Sequence, residues 1–501
     1  MDSLQRENPD AWIHGSVETA REAKGPSFVQ RQLISRDDVG DSSRLSRIIC
    51  SGGSCGSALP GLECVARELS GLGSTLVTMS AVVFRQVLPF PISDVWGMHA
   101  TPGIVTRLTP GFTGVRILQE AGNLKSGLTR MRFPGGAVWE GQHDPAVYRP
   151  LVPATSAESP ARFSDVCDTP VFGWASGWRH THSFFPDATQ PHHTILHDEI
   201  RTNAPAALAE RALQGIFGFR QDQLAGDLRR LTQVKQWSGP TTEKMLVAVA
   251  GADTAVGAQL CAMLQLAGHR VIRLTSDPHA QMAEAGFTGA APLNYRFCDP
   301  KTSGLDVLDE VEVVVHVAEQ AGTEQAGTGG RATKVTDFAE MAASTDSVHT
   351  FVAVRAGGAI AGAGSSAAGS GAPSGAADLV DAETAGLRVV DIRPGAILAG
   401  VSGILATGTL PLLGALPLPG TLQRLARTVE RDTSATGWIS INDVVDIALR
   451  GVTDPMLHGV VEAIAGGPPN ILTRLGHEFR TPDLRGTLRH ELGKNPARAL
   501  N

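Results

Sequence analysis

The apolar positions of this chain change their spacing twice. Over residues 1–78 they follow neither the alternation of a strand nor the three-and-four spacing of a helix. Ser, Gly, Arg and Asp fill the intervals, as expected of a disordered leader. From Val82 the signal sharpens. Residues 82–88 read as a strand and 91–96 as the start of a helix, and strand-like runs follow at 115–118, 128–133 and 137–142 between Gly-rich turns. Residues 178–184 alternate, and 194–200 can pair with them. Leu213, Ile216, Phe217, Leu224 and Leu228 then lay a broad apolar face along one long helix, 205–231. Strands followed by such a helix predict an α+β unit over 79–232, with the helix closing a curved sheet over an apolar cavity.

Residues 233–244 are polar around a Ser-Gly-Pro-Thr-Thr core and are expected to be a linker. At Met245 the alternation gives way to continuous apolar runs. Residues 245–250 read as a strand buried on both faces, 256–267 as a helix and 270–274 as a second strand. Later strands are expected at 311–317, 349–354, 387–392 and 460–465. Strands alternating with helices predict an α/β doubly wound, Rossmann-type domain over 245–501.

Composition narrows the function classes. With 501 residues, 42% hydrophobic and 19% charged, the chain as a whole can bury a core and is long enough for two or three domains. A net charge of -7 argues against a nucleic-acid partner, because no excess of positive charge is available to neutralise phosphates. No apolar h-region opens the chain and no run of about 18 apolar residues occurs, so no membrane span is expected and the location read is cytoplasmic. Six cysteines lack paired metal spacing. His180 and His182 share a strand face but have no third ligand fixed by spacing. They are read as polar groups at a ligand cavity, and no metal is assigned. The chain holds two tyrosines, Tyr148 and Tyr295, so a tyrosine acid/base has two places to be found.

The segment between the first parallel strand and its helix carries the strongest chemistry. Gly251, Thr254, Ala255, Val256 and Gly257 lie where backbone N–H groups and a helix dipole hold a pyrophosphate. Thr254 adds a Cβ in the middle of that loop, which opposes close approach of phosphates. At the end of the second strand, Arg273 or Ser276 can meet a ribose 2′-phosphate and Asp277 a 2′-hydroxyl, so NADP and NAD both stand.

These pieces resemble the NAD-dependent epimerase/dehydratase family of extended short-chain dehydrogenase/reductases. The similar branch is the one described as SulA-like or nucleoside-diphosphate-sugar epimerase, with its C-terminal domain of unknown function. The loop from Gly251 to Gly257 carries the likeness, with the outer glycines of the family's G-x-x-G-x-x-G. So do Val311-Glu312-Val313-Val314-Val315-His316-Val317-Ala318, Val389-Val390-Asp391-Ile392-Arg393-Pro394-Gly395, the Gly437-Trp438-Ile439-Ser440-Ile441-Asn442-Asp443 segment and the 479–490 tail. The resemblance places His316 and Ala318 at the adenosine side. Residues 80–231 resemble the SRPBCC helix-grip superfamily through Trp96-Gly97-Met98-His99, Arg107-Leu108-Thr109-Pro110 and Trp178-Arg179-His180-Thr181-His182. The family's Tyr-x-x-x-Lys is absent, its serines and tyrosine fall on residues without protons to transfer (the tyrosine on Ala361), and the catalytic residues are unknown. Two readings follow: an NAD(P)-dependent oxidoreductase or epimerase acting on a small-molecule substrate, with an apolar-ligand-binding domain fused to it, or a non-catalytic nucleotide-sensing or ligand-binding protein.

Overall fold

The computed structural model describes residues 80–169, 176–238, 244–275, 295–318, 335–357, 379–399 and 437–495, with isolated positions in 426–433 and at 497. The leader 1–78 and most of the Gly/Ala/Ser run after Ala356 lie outside the described residues.

The first half is a seven-stranded antiparallel sheet. Its strands are β1 (Ser80–Leu88), β2 (Arg116–Gln119), β3 (Leu128–Arg132), β4 (Val138–His143), β5 (Ala161–Cys167), β6 (Arg179–Pro186) and β7 (Thr194–Thr202), in the order β1-β7-β6-β5-β4-β3-β2. Helices α1 (Ile92–His99) and α2 (Ile104–Leu108) follow β1, and the 32-residue α3 (Ala206–Trp237) follows β7. Alternation builds the inner face: Val82, Phe84, Gln86 and Leu88 of β1 are buried and their neighbours less so. Phe84 stacks on Phe217 of α3 with centroids 4.4 Å apart. Strand β5 has no counterpart in the sequence expectation, because Ser164 and Asp165 interrupt its apolar alternation.

The second half is a parallel sheet. Strands β8 (Leu246–Ala250), β9 (Arg270–Thr275), β10 (Tyr295–Phe297), β11 (Val313–Val317), β12 (Thr350–Val354), β13 (Arg388–Pro394) and, later in the chain, a strand at Gly459–Ala463 alternate with helices. These include α4 (Ala255–Leu266) and α5 (Val335–Ala343). After β13 come the short pair β14 (Ala396–Leu398) and β15 (Trp438–Ser440), helix α6 (Ile441–Thr453), the Gly459–Ala463 strand as β16, and α7 (Leu484–Glu491). The order β10-β9-β8-β11-β12-β13-β16 reverses direction between β8 and β11, the switch point at which doubly wound sheets open a crevice. Every residue of β8, β11 and β12 is buried, as continuous apolar runs require.

Helix α3 serves both cores. Leu224 and Leu228 pack with the first sheet, whereas Val234 packs among Leu260, Met263 and Ile447 beneath the second. The spacing Leu224, Leu228, Leu231, Val234 continues the helical period. Residues 233–237, expected to open the linker, are therefore helix, and the polar side chains there belong to its outer face.

A buried ionic network joins the halves. Arg107 of α2, fully buried, donates to both carboxylate oxygens of Asp227 on α3 at 2.9 and 2.6 Å, to Gln259 Oε1 on α4 at 2.9 Å and to Asn442 Oδ1 on α6 at 2.8 Å. Arg480 donates to Asp227 at 2.6 Å and to both oxygens of Asp446 at 2.6 Å, and Arg230 lies 2.9 Å from Asp446. Burial alone would raise the Asp446 pKa, but Arg480 and Arg230 hold it at about 2. The 479–490 tail is thereby a clasp: Arg480 enters the network, and Leu484 and Leu488 pack on Leu398 and Val429.

Candidate dinucleotide site

The loop between β8 and α4 lies at the carboxyl edge of the second sheet, beside the switch point. Gly251 adopts φ +76°, and a Cβ there would collide with the carbonyl oxygen of Val317 on the neighbouring strand. A Cβ on Gly257 would collide with the carbonyl oxygen of Gly251. Both outer glycines are thus demanded by the closeness of strand, turn and helix.

Thr254 caps α4. Its hydroxyl accepts from the Gly257 N–H at 3.0 Å and donates to the Gly251 carbonyl at 2.8 Å, while its own N–H reaches the same carbonyl at 3.1 Å. The Thr254 side chain therefore closes the loop upon itself, besides adding bulk. As the first two helical residues, Ala255 and Val256 carry N–H groups with no acceptor within the helix.

Arg273 stands on β9, directly paired with Tyr295 of β10, its guanidinium 5.8 Å from the phenol ring centre. Asp253 of the loop lies within its electrostatic reach. Ser276, Asp277, Glu319 and Ala361 lie outside the described residues. His316 is level with Ala250 and Ala353 and turns its ring toward Phe338 of α5, 5.4 Å away. Its Nδ1 is buried with no hydrogen-bond partner among the described residues. Burial, reinforced by Arg355, lowers its pKa to about 4, so the imidazole is neutral at pH 7. The Ala318 N–H extends the ladder to Val354 at 2.9 Å.

One cluster was not anticipated as a site. Asp391, buried on β13, is held by Arg355 at 2.6 Å and Arg393 at 2.8 Å at the carboxyl ends of β12 and β13. A carboxylate inside the apolar run Val389-Val390-Asp391-Ile392 was the signal that could have found it. Neither tyrosine lies on the strands that carry this cluster. Tyr148 packs against the first sheet's core, its ring 6.3 Å from Trp96, and burial raises the pKa of Tyr295, with Arg273 only partly offsetting it. The residues four positions on are Val152 and Asp299, so neither tyrosine has the lysine partner.

The interior of the first sheet differs from an apolar cavity. His99, His180, His182 and Asp198 are buried among Phe84, Phe163 and Phe184. Trp96 packs edge-on to Phe184 at 5.2 Å. Among the described residues no helix is long and apolar enough to cross a membrane.

The residues present fit a dinucleotide: two glycines pressed against neighbouring carbonyls, the first N–H groups of α4, a guanidinium on the second strand and a buried imidazole nitrogen with no partner among the described residues. No protein-family model matches this chain, and no curated protein matches it. Among solved structures it is similar to the nucleoside-diphosphate sugar epimerase from Corynebacterium glutamicum, at 26% identity and a TM-score of 0.62, over 83% of this chain and 91% of that one. That share is more than either half can supply, so the likeness spans both sheets. Slighter likenesses, which bear no conclusion, join it to a human epimerase-family protein crystallised with NADPH (13% identity, TM-score 0.31, 50% of this chain and 100% of that one) and to a Bordetella bronchiseptica enzyme in complex with NAD+ (15%, 0.27, 46% and 79%). The likeness to the Corynebacterium protein, together with the strand order, gives the second half a Rossmann-like fold.

Proposed function

We propose that this chain binds NAD(P) at the carboxyl edge of its second sheet and belongs in function with the NAD(P)-dependent oxidoreductases and epimerases, acting on a small carbonyl or nucleotide-sugar substrate. The observation that carries this reading is the strand–turn–helix at Gly251 and Gly257, where any side chain would strike backbone, beside the reversal of strand order. The Ala255 and Val256 N–H groups and the α4 dipole would hold the pyrophosphate. Arg273, with Ser276, would meet the adenosine ribose, and His316 and Ala318 would border the adenosine side. The nucleotide-sugar class is suggested by the likeness to the Corynebacterium nucleoside-diphosphate sugar epimerase. The first half is read as an SRPBCC-type module holding a small molecule, and the tail as that of the SulA-like branch.

The positions of Tyr148 and Tyr295 favour a second reading, binding without turnover. Neither can hand a proton to a substrate at the ends of β11 and β12. Calorimetric titration with NADPH and NADH, followed by nucleotide consumption over a panel of carbonyl and nucleotide-sugar substrates, separates the two. Binding with consumption supports the enzyme, binding without consumption the sensor, and absence of binding overturns both.

A further inference from the structure

The inner face of the first sheet carries a constellation outside the nucleotide site. Strand register sets it up. Phe84, Asp198, His182 and Phe163 form one rung across β1, β7, β6 and β5; Val82, Ile200, His180 and Asp165 form the next. Because side chains two apart on a strand share a face, two imidazoles and two carboxylates converge beneath α3. A ring nitrogen of each histidine and a carboxylate oxygen of Asp165 all lie within 4.8 Å of one another.

We propose that Asp165, His180 and His182 bind a divalent first-row transition-metal ion, with Asp198 orienting both imidazoles. The supporting shell is already in place. Asp198 Oδ1 lies 3.1 Å from His180 Nε2, leaving Nδ1 of that ring turned toward Asp165 Oδ1 at 3.6 Å. The Trp178 indole N–H donates to the other Asp165 oxygen at 3.2 Å and fixes the carboxylate plane. A carboxylate behind a ligating imidazole, and a donor behind a ligating carboxylate, are the outer contacts that orient metal ligands. His182 Nδ1 stands 2.6 Å from Asp198 Oδ1 without the alignment of a hydrogen bond. Asp198 thus stands behind both rings, at Nε2 of His180 and at Nδ1 of His182, and the His182 side chain is itself 4% exposed. Charge agrees. Two carboxylates, Asp165 and Asp198, face one guanidinium, Arg220, across the same interior.

Two imidazoles and a carboxylate suit zinc, cobalt or ferrous iron rather than magnesium or calcium, which prefer all-oxygen sites. Three protein ligands leave a further position for water or an oxygen atom of a small molecule.

The test uses the full chain, stripped with chelator and dialysed, then titrated with Co2+ and Zn2+ and, as controls, Mg2+ and Ca2+. The expected result is one equivalent of Co2+ or Zn2+ per chain, absorption bands of nitrogen- and oxygen-ligated cobalt, and a raised melting temperature. His182→Gln and Asp165→Asn should each abolish binding while far-UV circular dichroism is retained. Asp198→Asn should weaken affinity by about 10- to 100-fold, and His197→Gln, on the same sheet but outside the set, should leave it unchanged. No uptake of Co2+ or Zn2+ by the wild-type chain overturns the proposal. So does binding that survives in both His182→Gln and Asp165→Asn, or that shows thiolate-to-cobalt charge transfer, which would place the ion on cysteines.

Discussion

Thr254 shows how one side chain sets the terms of the loop proposed to hold the nucleotide. Its hydroxyl takes the Gly257 N–H, a group an open loop would offer to phosphate, so the helix is stabilised at the expense of an anion contact. Thr254→Gly is expected to strengthen NADPH and NADH binding severalfold in calorimetry while lowering stability by no more than about 2 kcal/mol, the upper range for an N-cap. Gly251→Ala should act in the other sense. With φ at +76° and the Val317 carbonyl in the way, it should destabilise by about 1–3 kcal/mol in urea unfolding and weaken nucleotide binding. Gly251 and Gly257 were legible in the sequence because the chemistry of a strand–turn–helix constrains residue type at fixed spacing. Arg107 was not: a single arginine beside Leu108 carries no sign of being fully buried, since its partners Asp227, Gln259 and Asn442 are 120, 152 and 335 residues away.

The elements most legible in the sequence are those whose burial is uniform or strictly alternating: β1, β8, β11 and β12. Strand β5 escapes the alternation because its Ser164 and Asp165 are polar, and the end of α3 extends past the expected boundary because polar residues there, Arg230 among them, interrupt the apolar face. The network between elements has consequences of its own. Arg107→Ala leaves Asp227 buried with one cation fewer and should cost about 3–5 kcal/mol, read as a shift of the urea midpoint. On α6, burial raises the Asp443 pKa to about 6, with the neighbouring Asp446 charge adding to it and the Ser440 hydroxyl and Arg480 N–H opposing it. A carboxyl raised from 3.8 contributes stability below that value and loses it as pH climbs through about 6. Wild type should therefore lose about 3 kcal/mol between pH 4 and pH 7 relative to Asp443→Asn, which keeps an acceptor for the Arg480 N–H.

At the scale of the molecule, α3 and the network tie both sheets into one body extending over Val77–Asn501. Probes in either sheet should report a single unfolding transition. Buried histidines make that body sensitive to acid. Burial lowers His316 and His490 to about 4 and His477 to about 3. Each is neutral in the fold but binds a proton in the unfolded chain below pH 6.5. Each should therefore remove about 1.4 kcal/mol of stability per pH unit as pH falls from 6.5 toward its folded value. Melting temperatures at pH 7, 6 and 5 should show this loss, against which Asp443 works in part. The two sheets, one antiparallel and one parallel, are legible along the chain because each has its own apolar period. Their union is not, because it rests on contacts between residues far apart in sequence. The most direct test of the account is calorimetric titration of the full chain with NADPH and NADH. Saturable binding at one site, weakened by Gly251→Ala, is the predicted result. No binding of either nucleotide at millimolar concentration would contradict it.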